Sequence, residues 1–260
     1  FTNYLRVIRD SFRGRSTPYM EAEDVTQKAI GLIEEEGIDE DNFYWVHYMD
    51  PHSPFMPPKE TYGTWNSFSS RREAWKALEN GDENIVDLYD ECVLYMDRHL
   101  GKLIEFIQEN FEQDEYEILI TSDHGELFPG DGTDFTGHPE AIVQKLFEVP
   151  LFFTDEAVEK REFSTHSDIA PTVLDYFGIK ITEKMNGKSL YSDRLKDYDF
   201  VQSFPMNGDD IEDDRKTTCE AAKVTAKGIQ ERISLDDPGS YEVEDQDLMS
   251  HAKRNGYSPD

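Results

Sequence analysis

Seven histidines lie along this chain, at positions 47, 52, 99, 124, 138, 166 and 251. Three of them, His52, His124 and His138, fall just after an apolar run or in the loop that follows one. Ligands of α/β sheets bind beyond the carboxyl ends of the strands, so this placement is a first functional clue. The strongest local signal is Thr-Ser-Asp-His-Gly-Glu at 121–126. Asp123 and His124 at a strand end can project both heads into one crevice, where a carboxylate oxygen and an imidazole nitrogen suit a divalent cation of intermediate hardness. Gly125 lets the backbone turn away sharply. The same residues also fit an Asx-type turn holding a hydrogen-bonded histidine. The second signal is His47-Tyr-Met-Asp-Pro-His52-Ser-Pro-Phe-Met-Pro-Pro58, in which prolines stiffen the loop and can fix the direction of the His52 imidazole. Without further context it reads as plain loop structure, and His47 reads as a satisfied core histidine inside the strand. The third signal is Gly137-His138-Pro139 in a glycine-rich stretch, where the alternative is a mobile surface loop.

These groups need elements to hold them. The first twenty residues are basic and irregular, with Arg6, Arg9, Arg13 and Arg15, and Pro18 ends the segment. From Glu21 a helical period begins, carried by Val25, Ala29, Leu32 and Ile33 and stopped by Gly37. Phe43–Tyr48 reads as a buried strand closed by Pro51, and residues 59–82 as a polar excursion over the surface. Ile85, Tyr89, Cys92, Met96, Leu100, Leu103 and Ile107 step by three or four, which predicts one long helix over 83–109. Glu117–Ser122 and Val149–Thr154 read as two more buried strands, separated by Gly125, Gly130, Gly132 and Gly137. A helix with Ile169, Val173, Leu174 and Phe177 on its apolar face ends at Gly178, and Asp199–Phe204 reads as a further strand. Strands alternating with helices predict an α/β fold, a mostly parallel sheet with helices on both faces. Beyond Pro205 an acidic stretch runs to Asp214, followed by β-like runs at 218–226 and 229–235 that predict a small antiparallel appendage. The expected division is a core over 1–205 and a small acidic subdomain over 206–260.

Composition narrows the classes of function. Of 260 residues, 56 are Asp or Glu against 26 Lys or Arg, so the formal net charge is −30. Such a field repels phosphate backbones and anionic lipid, which argues against nucleic acid and membrane surfaces as partners. The 37% hydrophobic content suffices for a sizeable core, and no run of about 18 apolar residues marks a membrane span. Acidic residues spread along the whole chain predict adaptation to molar salt, where the Debye length is about 3 Å and self-repulsion is screened. Cys92 and Cys219 have neither a CxxC partner nor metal-type spacing, so both read as free thiols, in keeping with a reducing, cytoplasmic setting.

Taken in order, the stretch from Tyr19 to Phe204 resembles the sulfatases of the alkaline phosphatase superfamily. The resemblance rests on the helix Ala22–Ile30, the strand and loop Phe43–Pro58 with its His-x-Pro-aromatic ending, and the long helix. It continues through Ser122-Asp-His-Gly-Glu126, Gly137-His138, the Val149-Pro-Leu strand and Ser167-Asp-Ile-Ala-Pro-Thr-Val-Leu174 before Gly178. It implies a sulfatase-like fold and metal-dependent hydrolysis of a sulfate ester, on a small molecule or a glycan. It further implies that Asp123 and His124 ligate one divalent metal ion, calcium foremost, with manganese or zinc in relatives that cleave phosphonates and phosphodiesters. His52 matches the family histidine near the bridging oxygen, placed to hydrogen-bond or protonate the leaving group. His138 matches the Lys-or-His position that contacts the anionic group. Asp168 falls in a motif read as helix start and packing.

The departures from the family pattern are equally specific. Family members carry upstream acidic residues that complete the metal shell, and a Cys- or Ser-x-Pro-x-Arg motif whose first residue supplies the formylglycine or serine nucleophile. Neither occurs in this chain; Ser16-Thr-Pro-Tyr-Met20 lacks the Arg. One Asp and one His cannot fill the usual six- to eight-coordinate calcium shell. A start at Phe1 rather than Met fits the later two-thirds of a longer enzyme, inactive by itself. A phosphodiester or phosphonate monoester hydrolase built on the same site, and a non-catalytic homologue, are the competing readings.

Overall fold

The computed structural model describes residues 19–38, 42–131, 136–138, 142–155, 158, 163–182, 184–192, 198–202, 220–234, 247, 248 and 250. The basic segment before Pro18, Gly132, Pro139, Cys219, the acidic stretch after Pro205 and His251 lie outside them. The chain divides into two compact units, one of residues 1–117 with 127–137, the other of 118–126 with 138–260.

In the first unit, helix α1 (Ala22–Glu36) buries Ala22, Thr26, Ala29 and Ile33. This stripe is rotated from the expected one, since Leu32 is exposed and Thr26 takes an inner place, donating its hydroxyl to the His99 carbonyl. Gly37, at φ 81°, ends the helix and returns its N–H to the Ile33 carbonyl. Helix α2 (Arg71–Asn80) lies where a surface excursion was expected. Ser70 caps it by accepting from the Glu73 N–H, and Ala74 and Ala77 turn inward. Helix α3 (Ile85–Asn110) has 26 residues, which gives a rod of about 39 Å. Its inner stripe runs Ile85, Leu88, Cys92, Tyr95, His99 and Leu103, so Tyr95 and His99 take the places expected for Met96 and Leu100.

Two clusters form along α3. Its first half packs Ile85, Leu88 and Cys92 against Phe55, Ala74, Ala77 and Phe128, with Tyr62, Phe68 and Tyr89 at the edge. Burial of Phe55, 1% exposed, contributes about 1.5–3 kcal/mol. Its second half packs Leu103, Phe106 and Ile107 against Ala29, Ile33, Tyr44 and Val46. The segment 43–48 is extended as expected, but only one face is covered: Tyr44, Val46 and Tyr48 are half-buried while Phe43, Trp45 and His47 are exposed. The expectation of His47 as a core histidine is thereby corrected. Strand alternation sends it to the open face together with Phe43 and Trp45.

In the second unit, β1 (Leu119–Thr121) pairs with β2 (Leu151–Phe153). The pair is antiparallel, with Ile120 opposite Phe152. Strand β3 (Tyr198–Gln202) pairs with β4 (Glu220–Thr225), and β4 with β5 (Gly228–Ser234), again antiparallel. Every pairing among the described residues is therefore antiparallel, and the mostly parallel sheet expected from the sequence is not found there. The connection fits this: among the described residues of 122–150 the only helix is the single-turn α4 (Gln144–Phe147), too short for the crossover that parallel pairing needs. Phe152 is 63% exposed, so β2 is not the fully buried strand expected. Helix α5 (His166–Tyr176) starts with a capping box in which Thr165 and Asp168 satisfy each other's backbone N–H groups. Buried Asp168 also accepts the Lys188 N–H at 2.7 Å, and a Cβ on Gly187 would meet the Ser167 carbonyl at 1.7 Å. Asp168 is thus a packing and capping residue.

Candidate active site

The turn after β1 is built for close approach. Gly125 donates its N–H to the Leu146 carbonyl at 2.7 Å, and a Cβ in its place would lie 2.0 Å from the Lys145 carbonyl oxygen. Only glycine lets the Asp-His turn dock on α4 in this way. Ser122 donates its hydroxyl to the His124 carbonyl at 2.5 Å, and the His166 ring nitrogen Nε2 lies 2.8 Å from the Ser122 carbonyl. These contacts fix the backbone and leave the side chains of 123 and 124 facing outward.

Asp123 uses Oδ1 to accept the N–H of the next residue, His124, at 3.0 Å, a contact one residue on rather than the two-residue bond of an Asx turn, since the Gly125 N–H goes to the Leu146 carbonyl. Its other oxygen, Oδ2, lies 3.7 Å from His124 Nε2, and the two side chains are 72% and 36% exposed. His124 Nδ1 lies 2.8 Å from the Gly125 carbonyl oxygen, which can only accept, so Nδ1 carries the proton. In the neutral ring Nε2 then keeps its lone pair and faces the carboxylate oxygen. The two oxygens are used differently: Oδ1 takes the His124 N–H and Oδ2 faces the imidazole. A hard oxygen and an imidazole nitrogen at that separation fit a divalent cation as a partial shell. Among the described residues no group of three His, Cys, Asp or Glu side chains forms a metal cluster.

The His138 ring lies 4.2 Å from the His124 ring, tilted by 43°, so the second unit brings Asp123, His124 and His138 together. His52 belongs to the first unit. Its Nδ1 lies 2.6 Å from the Ser53 carbonyl oxygen and its ring meets Tyr19 edge-on at 5.2 Å, so the proline-rich loop does hold the imidazole in a set direction. The Ser53–Pro54 peptide bond is cis. Beside it, buried Asp50 caps α1 by accepting the Ala22 N–H at 2.9 Å, while its Oδ2 has no hydrogen-bond partner among the described residues. Burial pushes its carboxyl up to about 6, against the opposing pull of the Ala22 hydrogen bond.

Two further groups at the turn carried no expected role. Glu126 keeps Oε1 buried without a hydrogen-bond partner among the described residues, and desolvation pushes its carboxyl up to about 7, opposed in part by His124. His166 braces the turn from the first position of α5. Glu126 stands inside the Asp-His-Gly-Glu run itself, which was the signal available for it. His166 is separated from the turn by 44 residues, and no local pattern could have paired them.

The Sulfatase family model matches residues 2–179, more than half of the chain. The chain belongs to the sulfatase family. That match spans the His52 loop, the Asp123–His124 turn, His138 and α5. Two solved structures share the fold: Ps i-CgsB, 14% identical with a TM-score of 0.55 over 92% of this chain and 55% of that one, and a protein in complex with its substrate D-glucosamine-2-N,6-O-disulfate, 18% identical with a TM-score of 0.50 over 76% and 47%. Among curated relatives, a 2,3-bisphosphoglycerate-independent phosphoglycerate mutase of Vibrio parahaemolyticus is 32% identical over 115 residues, 42% of this chain and 21% of the mutase. The phosphatidylethanolamine transferase Mcr-2 of Escherichia coli is 26% identical over 174 residues, 63% of this chain and 32% of the transferase. This sulfatase-family chain thus spans about half the length of the solved structures and a fifth to a third of the curated relatives it matches.

Proposed function

We propose that the protein to which this chain belongs hydrolyses sulfate esters of a glycan or small sugar, with the Asp123–His124 turn at its centre. The observation that carries the reading is the pairing of Asp123 Oδ2 with His124 Nε2 beside the His138 ring, on a turn that only Gly125 permits, in a chain of the sulfatase family. Two of the similar solved structures hold sugars, one its substrate D-glucosamine-2-N,6-O-disulfate and the other k-i-k-neocarrahexaose, which supports a sugar as the ester's alcohol.

In this reading Asp123 and His124 hold one divalent cation, calcium foremost with manganese or zinc as alternatives, which supplies Lewis-acid stabilisation of the charge that develops on the sulfuryl oxygens. His138, against the His124 ring, binds the anionic group. His52, its Nδ1 held by the Ser53 carbonyl, presents Nε2 to the leaving oxygen as hydrogen-bond donor or general acid. The nucleophile and the remaining cation ligands come from sequence outside this chain, so the 260-residue piece by itself turns over no ester. Local positive groups work against a net charge of −30, which fits a setting of high salt that screens the long-range field.

A phosphoester substrate is the second reading, favoured by the mutase and the transferase among the relatives. Matched sulfate and phosphate monoesters of one sugar, assayed on the complete protein, decide between them. The first reading expects sulfate release to exceed phosphate release by at least about a hundredfold in kcat/KM, a gap of about 2.7 kcal/mol in transition-state binding. The reverse preference would install the phosphoester reading.

A further inference from the structure

Glu91 lies on the inner face of α3 and is fully buried, and no Lys or Arg is paired with it among the described residues. Its carboxylate instead collects four donors from one loop. Oε1 accepts from the Trp65 N–H at 2.6 Å and the Asn66 N–H at 2.8 Å, and Oε2 from the Gly63 N–H at 3.1 Å and Asn66 Nδ2 at 2.5 Å. A carboxylate with four N–H donors is fully satisfied, and it fixes the backbone on both sides of residue 65. Tyr62 and Phe68 anchor the two ends of this loop against the core cluster that also contains Phe55 of the His52 loop.

What the clamp presents is an exposed indole. Trp65 is 53% exposed, and no described residue accepts from its Nε1–H. A rigidly held tryptophan offers a large contact area at low entropic cost. Along the sequence the segment between His52 and Leu78 is richer in basic residues than the chain as a whole, with Lys59, Arg71, Arg72 and Lys76 against Glu60 and Glu73 in a chain of net charge −30, although Glu79 follows it directly and Glu91 lies beneath the loop. Arg71 lies against the loop, bonded to the Pro57 carbonyl at 3.1 Å and close enough to draw the Tyr62 hydroxyl down in pKa against the larger upward effect of burial.

We propose that Trp65 is a stacking platform for the pyranose ring of a sulfated sugar, and that Glu91 is the positioning residue that holds it. Its occupant rests on the sulfate-ester reading above, to which the loop adds a contact for a sugar ring within the first unit. An indole face stacks on the apolar face of a sugar ring, and Arg71, held near Tyr62 on the same loop, supplies a cation for a sulfate group.

The test is a fluorescence titration of the 260-residue chain with D-glucosamine-2-N,6-O-disulfate, a sulfated carrageenan hexasaccharide, unsulfated glucosamine and inorganic sulfate. The chain has three tryptophans, Trp45, Trp65 and Trp75, so assignment is direct. A saturable quench by a sulfated sugar is expected, lost in Trp65→Phe and kept in Trp75→Phe, with affinity at least about tenfold weaker in Trp65→Ala and about fivefold weaker in Glu91→Gln. Asn66→Ala, which removes one of the four donors, reports on the clamp if Glu91→Gln does not fold, and is expected to weaken binding while lowering the near-ultraviolet circular dichroism of the indole. A quench that survives Trp65→Phe, no saturable quench by either sulfated sugar, or an equal quench by inorganic sulfate alone would overturn the platform. Unchanged sugar affinity in both Glu91→Gln and Asn66→Ala would overturn the positioning role. Failure of the sulfatase reading is separable: it would appear as absent sulfate release by the complete protein, with the Trp65 quench intact.

Discussion

Two carboxylates, one in each unit, show how environment divides architecture from chemistry. Glu91 is sealed inside the first unit with four N–H donors, and neither oxygen is left to act on anything else. Asp123 stands on the open turn of the second unit, satisfies one backbone N–H with Oδ1, and offers Oδ2 to solvent beside an imidazole nitrogen. Both are acidic side chains in an acidic protein, and their type alone does not separate them. A satisfied buried carboxylate stores folding free energy, because its removal strands every donor that pointed at it. A half-used exposed one costs little to the fold and leaves an oxygen accessible from solvent.

The largest effect should come from the buried member. Glu91→Ala leaves three backbone N–H groups and the Asn66 amide without an acceptor, and should cost about 3 kcal/mol or more by urea unfolding; Asp123→Ala should stay within about 0.5 kcal/mol of wild type. Equal losses would break the comparison. Next comes Gly125→Ala, whose methyl would collide with the Lys145 carbonyl. It should cost about 2 kcal/mol and weaken binding of a divalent cation, measured by calorimetry, because the turn that presents Asp123 must shift.

Asp50 sharpens the comparison from an intermediate position, buried yet with one oxygen unpartnered among the described residues. Its folded pKa of about 6 lies above its ordinary 3.8, so the folded state binds the proton more tightly than the unfolded one. Its contribution is therefore fully present below about pH 4, falls as pH rises through 6, and above that is a net cost of up to about 3 kcal/mol. Asp50→Asn keeps an acceptor for the Ala22 N–H and should flatten stability between pH 4 and 6 in denaturant titrations. A wild-type slope retained by the variant would remove Asp50 as its source. The smallest effect concerns the surface: raising KCl from 0.1 to 1 M should raise the melting temperature by several degrees as repulsion at −30 is screened, whereas an insensitive or falling melting temperature would count against adaptation to high salt.

Much of the architecture that carries these groups can be read from side-chain spacing. The stripe from Ile85 to Leu103 defines α3 because a 3.6 period sustained over about five turns has no competing interpretation. Helix α2 was hidden by its polarity, although Ser70 and Glu73 stand at the spacing of a capping box and mark its start. Strand direction was not legible: Leu119–Thr121 and Leu151–Phe153 are apolar runs, and an apolar run looks the same in either direction. The Asp123–His124 turn was visible as a motif because its parts are adjacent. The bracing of that turn by His166 and the grip of Glu91 on residues 63–66 link segments 44 and about 25 residues apart, and no local pattern encodes such pairs.

The most direct measurement is sulfate release from a sulfated sugar by the complete protein, wild type against the Asp123→Ala/His124→Ala double variant, with circular dichroism melts run in parallel. The account predicts a loss of at least about a thousandfold in kcat, equal to about 4 kcal/mol, with a melt close to that of wild type in chelator. Full activity in the double variant would contradict it.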